Sequence, residues 1–128
     1  MGNPGDNVKR ILVVEDEPAI CEICLKVLTG EGFEVEIANN GRKGKEKLEE
    51  KAYDLILIDL RTPVMDGKQL YQRISEKYPE LASRVIFTSG EVVGDDVQDF
   101  LKLAGRPFLP KPFTPKDLKK IVRDTLSQ

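Results

Sequence analysis

Aliphatic runs alternate with helically spaced apolar positions along almost the whole chain. Arg10-Ile-Leu-Val-Val14 is cut off by Glu15-Asp-Glu-Pro18, after which Ile20, Ile23, Cys24, Val27 and Leu28 recur at helical spacing. A strand leading into a helix is predicted, with Gly30 and Gly32 closing the helix. Phe33 to Ala38 reads as a second strand, and Asn39-Asn40-Gly41 as a turn into a charged helix ending near Lys51, with Leu48 its main apolar anchor. Leu55-Ile-Leu-Ile58 is continuously apolar, as expected of a central strand covered on both faces, and it runs into Asp59. Pro63 and Gly67 bound a loop, Leu70, Tyr71, Ile74 and Tyr78 space out a third helix that Pro79 ends, and Val85-Ile-Phe87 is a fourth strand. A polar stretch from Ser89 to Asp96 precedes helical spacing in Val97, Phe100, Leu101 and Ala104, and Phe108-Leu109 is a short fifth strand. Thr114-Pro-Lys-Asp117 is a helix start, with Thr as N-cap, Pro at the first position and an acid three residues on; Leu118, Ile121, Val122 and Leu126 supply the buried stripe. Five strand-helix units predict one α/β domain, with a parallel sheet, right-handed crossovers and helices on both faces.

Composition narrows the reading. At 128 residues, with 40% hydrophobic and 33% charged side chains, the chain suits a single hydrophobic core, here expected over residues 8–128 behind a flexible tail of residues 1–7. A net charge of −2 with scattered Lys and Arg lacks the footprint of nucleic-acid binding. No apolar run approaches the roughly 20 residues of a membrane span and the N-terminus has no signal region, so a cytoplasmic protein is expected. Cys21 and Cys24 have Cys-x-x-Cys spacing, but Pro18, Ala19 and Ile20 already fill the first helical turn and Cys24 falls on the apolar stripe, so packing is favoured over redox chemistry. Without histidine a structural zinc site lacks ligands.

Chemistry collects at the carboxyl ends of the strands, where ligands of open α/β sheets sit. Glu15 and Asp16 follow strand one, Asp59 ends strand three, Thr88 and Ser89 end strand four, and Lys111 follows strand five. Clustered carboxylates repel, which a hard divalent cation relieves, and an all-oxygen donor set points to magnesium. Each residue also has a plainer role: Asp16 or Glu17 as the N-cap before Pro18, Lys111 as solvated surface, Ser89 as a turn residue. Asp59, after four apolar residues, is costly to bury without a partner such as Lys111.

The segments Val13-Val-Glu-Asp-Glu-Pro18, Leu57-Ile-Asp-Leu-Arg-Thr-Pro-Val-Met-Asp-Gly67, Phe87-Thr-Ser-Gly90 and Phe108-Leu-Pro-Lys-Pro-Phe113 resemble, in order and spacing, the motifs of response-regulator receiver domains. The resemblance covers nearly the whole chain. It implies a flavodoxin-like doubly wound (βα)5 three-layer sandwich with strand order 2-1-3-4-5. It further implies Asp59 as phosphoacceptor, Asp16 and Asp59 with the backbone carbonyl of Arg61 as ligands of Mg2+, and Glu15 acting through water. Lys111 would pair with the phosphoryl oxygens. Ser89, preferred to Thr88 because Gly90 follows it, would turn inward to bond them, and Phe108 would rotate with it. Pro112 matches the family's cis-proline position, and Arg61 and Glu91 flank the phosphoryl position as tuners of its lifetime. The implied partners are a sensor histidine kinase or histidine phosphotransfer protein as donor and a downstream output domain or protein. The implied switch is the face of the fourth helix, strand five and the fifth helix. Gly-Arg-Pro-Phe108 ahead of the Lys-Pro pair also resembles receivers of hybrid sensor kinases. Three other readings compete. A haloacid-dehalogenase-type phosphatase wants a second Asp where Arg61 stands, and a flavodoxin-like redox protein would have its phosphate repelled by Glu15-Asp16-Glu17. The third is a pseudo-receiver, which keeps the fold as an interaction module without phosphorylation.

Overall fold

A computed structural model of the chain describes residues 8–61, 65–90 and 95–127. The strands are β1 (Arg10–Val14), β2 (Glu34–Ala38), β3 (Leu55–Asp59), β4 (Val85–Ser89) and β5 (Phe108–Pro110), and they form one parallel sheet in the order β2-β1-β3-β4-β5. The helices are α1 (Pro18–Gly30), α2 (Gly41–Glu50), α3 (Gly67–Lys77), α4 (Pro79–Ala82), α5 (Asp95–Ala104) and α6 (Pro115–Leu126). The expected doubly wound sandwich and strand order are therefore observed.

Period-two alternation along the central strands feeds two cores. Leu12, Val14, Ile56, Ile58, Val85 and Phe87 point to one side, where Leu48, Leu70 and Ile74 of α2 and α3 meet them and α5 packs at the edge. Ile11, Val13, Leu55, Leu57 and Ile86 point to the other, against Cys24 and Leu28 of α1 and Leu118 and Val122 of α6. Both faces of β1, β3 and β4 are thus covered, which explains their unbroken apolar runs. On the α3 and α5 side Phe87 is wedged edge-on between Tyr71 and Phe100, with ring centroids 5.2 and 5.4 Å away.

The start of α6 has the predicted form. Thr114 Oγ1 accepts from the Asp117 amide at 3.0 Å, and Asp117 Oδ2 accepts from the Thr114 amide at 3.1 Å, so both ends of a capping box are closed. The third helix ends at Lys77, but Pro79 also opens the unpredicted single turn α4, because Leu81 has an apolar niche to fill and Pro suits a first helical position. Strand β4 runs two residues beyond Phe87, paired by β3 and β5, so Thr88 and Ser89 lie within the sheet.

Helix α2 looked weakly anchored, and tertiary contact supplies the reason. Gly41 and Gly44 are buried, and a Cβ on Gly44 would lie 3.0 Å from Val14 Cγ2 and 3.4 Å from Leu70 Cδ2. The helix backbone itself serves as the packing surface. Ion pairs from Lys47 and Lys51 to the two oxygens of Glu36 on β2, 3.3 and 2.9 Å, hold its C-terminal half. Helix propensity alone favours other residues over Gly by up to about 1 kcal/mol. We nevertheless expect Gly44→Val to destabilise the fold by about 1–3 kcal/mol through overpacking against Val14 and Leu70. The shift of the urea midpoint checks this; an unchanged or raised midpoint contradicts the close approach. Among the described residues no helix is long and apolar enough to cross a membrane.

Candidate functional site

Parallel pairing brings the carboxyl ends of β1, β3, β4 and β5 to one edge, where the sequence-distant side chains of Glu15, Asp59 and Lys111 meet. Asp59 lies opposite Thr88, and Ser89 opposite Pro110, one residue before Lys111. The Lys111 amide donates to the Ser89 carbonyl at 3.0 Å, which fixes where its side chain begins. The Lys111 stem runs beside Gly90, where a Cβ would be in ordinary contact with it at 3.4 Å. The Lys111–Pro112 peptide bond is cis.

The ammonium group of Lys111 is the centre of the arrangement. Its Nζ lies 2.8 Å from Glu15 Oε1, 2.9 Å from Asp59 Oδ2 and 2.7 Å from Glu17 Oε1. Its side chain is only 7% exposed, and those of Glu15 and Asp59 are 1% and 4% exposed. Burial opposes the charge on Lys111, but its bonds to Glu15, Glu17 and Asp59 outweigh that penalty and raise its pKa. Burial pushes the Glu15 carboxyl up to about 7, with the Asp59 charge adding to the rise and Lys111 and the Glu17 amide pulling it down. One buried cation thus faces three carboxylates whose oxygens lie within 4.8 Å of one another.

The remaining contacts fix the acids. Glu15 Oε2 accepts from the amides of Asp16 and Glu17, each at 3.1 Å, which folds the β1–α1 turn around its own carboxylate. Asp59 Oδ1 accepts from the Arg61 amide at 2.9 Å. Asp16 is exposed and lines the cleft beside the tight cluster, together with Glu17, Asp59, Arg61, Lys111 and Pro112. The Thr88 hydroxyl donates to the Leu109 carbonyl at 2.6 Å, a bond buried between strands, and Ser89 ends β4 one residue before Gly90, which lines the cleft. Ser89, Phe87 and Phe108 share one face of the sheet by register, and Phe108 is partly buried against the α3 and α5 side of the core. Glu91 lies outside the described residues.

One member of this site was not singled out by spacing. Glu17 does occupy the N-cap position of α1, yet its side chain makes no capping hydrogen bond and extends to Lys111 instead. Strong charge attraction to a nearly buried ammonium outweighs a single amide bond. The signal available in the sequence was the third consecutive acid before Pro18. Cys24 is a packing residue, as its place on the apolar stripe of α1 suggested. Cys24 is fully buried and its thiol is pushed up to about 12, chiefly by burial, while the Cys21 thiol donates to the Glu15 carbonyl at 3.3 Å.

Comparison with known proteins bears on the family and the fold. The family described as response regulator receiver domain matches residues 11–123. The transcriptional regulatory protein PcoR of Escherichia coli is 35% identical over 120 residues, 93% of this chain and 52% of that protein. Coverage of the first curated relatives ranges from 26% to 52% of their length, so the chain spans about a quarter to a half of them. A CheY-like receiver domain protein from Methanospirillum hungatei superposes with a TM-score of 0.86 at 31% identity, covering 94% of this chain and 95% of that one. The receiver domain of sensor histidine kinase PA1611 from Pseudomonas aeruginosa, solved with a magnesium ion coordinated in its active-site cleft, superposes with a TM-score of 0.82 at 26% identity, covering 94% and 99%. With its order of strands, its acidic cleft and this match over most of its length, the chain belongs to the response regulator receiver domain family.

Proposed function

We propose that Asp59 is the phosphoacceptor of a two-component phosphorelay. The observation that carries this reading is the Asp59 carboxylate at the carboxyl end of the central strand, 3% exposed and bonded to Lys111 at 2.9 Å. A carboxylate in that position is both oriented and supplied with a cation for incoming phosphoryl oxygens. One Asp59 oxygen attacks phosphorus in line, the P–N bond to a partner's phosphohistidine breaks, and the imidazole departs with the bonding electrons and takes up a proton. Lys111 neutralises charge on the transferred group.

The donor set fits magnesium. The oxygens are carboxylates, no histidine competes, and one ammonium leaves the cluster net negative. Asp16 and Asp59, with the backbone carbonyl of Arg61, would hold the ion, and Glu15 would act through water. The ion's contribution when bound is to neutralise phosphoryl charge at the transition state. The magnesium described for the PA1611 receiver supports this assignment.

Ser89 and Phe108 then form the switch. An acyl phosphate on Asp59 attracts the Ser89 hydroxyl, and the space it vacates admits the Phe108 ring from the same sheet face. The face built by α5, β5 and α6 changes with it and would meet an output domain or protein. The name of PcoR as a transcriptional regulatory protein, about twice the length of this chain, supports an output of that kind. Donors would be a sensor histidine kinase or a histidine phosphotransfer protein, in the cytoplasm. Arg61 at the cleft, with Glu91, would set the lifetime of the phosphoryl group. Incubation of the protein with acetyl phosphate and Mg2+ should add one phosphoryl mass, labile to hydroxylamine and absent with chelator. No adduct on well-folded protein would favour a phosphorylation-independent pseudo-receiver.

A further inference from the structure

The three carboxylates around Lys111 are not equivalent. Glu15 is anchored by two backbone amides and Asp59 by one, and both are buried. Glu17 is 58% exposed along its side chain and reaches Lys111 from the rim of the cleft, with no capping bond tying it to α1. Its backbone is fixed by Pro18 at the first helical position and by its amide bond to Glu15, but its carboxylate is free to leave. A phosphoryl group on Asp59 needs the same ammonium, since Asp59 Oδ2 is already 2.9 Å from Lys111 Nζ. Two anions cannot both occupy the outer side of one Nζ whose inner side is already crowded by Glu15 at 2.8 Å and Asp59 at 2.9 Å.

We propose that Glu17 is a positioning residue that acts as a displaceable stand-in for the phosphoryl group, pairing with Lys111 at rest and yielding it when a phosphoryl oxygen arrives. The proposal rests on Asp59 being the acceptor. Its consequence is competition: every phosphoryl donor or mimic must displace Glu17, so the acid lowers the affinity of the cleft for tetrahedral anions and keeps Lys111 from other partners. The exchange moves no covalent bond; it replaces one ion pair by another. An exposed ion pair of this sort is modest in strength, so the effect sought is severalfold.

The experiment is titration of the intact chain, in saturating Mg2+, with beryllofluoride followed by calorimetry, on wild type, Glu17→Gln and Glu17→Asp. Glu17→Gln should bind the mimic about threefold to tenfold more tightly. Magnesium affinity without the mimic should be unchanged within about twofold. Glu17→Asp keeps the charge but is one methylene short of Lys111, so it should resemble Glu17→Gln. Three results overturn the proposal: equal affinity for the mimic in wild type and Glu17→Gln; a Glu17→Asp variant that matches wild type while Glu17→Gln binds tighter, which would leave only diffuse repulsion; or a large loss of Mg2+ affinity in Glu17→Gln, which would make Glu17 a metal ligand. If wild-type protein itself takes neither mimic nor phosphoryl group, the acceptor reading has failed, and with it the ground for this one.

Discussion

Asp59→Asn abolishes the magnesium-dependent phosphoryl adduct while leaving the fold in place. The amide has nearly the carboxylate's shape and can still accept from the Arg61 amide, which the wild-type side chain does at 2.9 Å. It lacks the charge to attack phosphorus, and it can no longer form an ion pair with Lys111 across 2.9 Å. Loss of the nucleophile removes the reaction rather than slowing it, so intact mass after acetyl phosphate treatment should show no shift above background. Far-UV circular dichroism should match wild type. A full phosphoryl adduct on Asp59→Asn would place the acceptor elsewhere, with Asp16 the next carboxylate to test because it lines the same cleft.

Lys111→Met has the second large effect, and on stability as well as reactivity. Methionine can fill much of the path taken by the lysine stem, but it leaves Glu15 and Asp59 buried without their ammonium. Removing one partner of a buried ion pair costs about 3–5 kcal/mol. We expect a loss of that order in the urea-derived stability at neutral pH with chelator present. Added Mg2+ should recover part of it, because an ion bound only by the folded chain stabilises by mass action. Acidification should recover part as well. Burial already raises the Glu15 carboxyl from 4.5 to about 7 with Lys111 in place, and loss of the lysine removes an influence that lowers it. A group whose folded pKa lies above its unfolded value takes up its proton on folding in the interval between them. The penalty of burying its charge is therefore complete above the folded value and absent below the unfolded one. The deficit of Lys111→Met relative to wild type should therefore shrink as pH falls to about 7, across the interval between the higher value in the variant and that of wild type, and level off below it. A variant as stable as wild type in chelator at pH 8 would mean that the acids do not depend on Lys111.

Receiver membership and most of the element order were readable without coordinates, because three signals are local in the chain. Continuous aliphatic runs of four residues, as in β1 and β3, mark strands covered on both faces. Thr114, Pro115 and Asp117 carry their own capping chemistry within four residues. The carboxyl end of each strand is where the apolar run stops, so Glu15, Asp59, Ser89 and Lys111 could be assigned to one edge as soon as the sheet was known to be parallel.

What escaped the sequence depends on which surfaces meet. Gly44 looks like a weakness in α2 until the helix is laid on Val14 and Leu70, where a methyl group would be in tight contact at 3.0 Å. Pro79 reads as a helix stop, yet the niche for Leu81 draws one more turn from the chain. The roles of the acids at Glu15, Asp16 and Glu17 cannot be separated by spacing, since all three are consecutive and any of them reaches the edge of the sheet. Only the placement of Lys111, 94 residues beyond Glu17, separates them. It buries Glu15, draws Glu17 away from its cap and leaves Asp16 exposed on the cleft wall. The sequence by itself determined the parallel sheet and the edge at which its chemistry gathers, because hydrophobic period and chain reversal are local properties. The tertiary structure decided which carboxylate faces the lysine, because Coulomb attraction and close packing act across contacts that the chain order does not display.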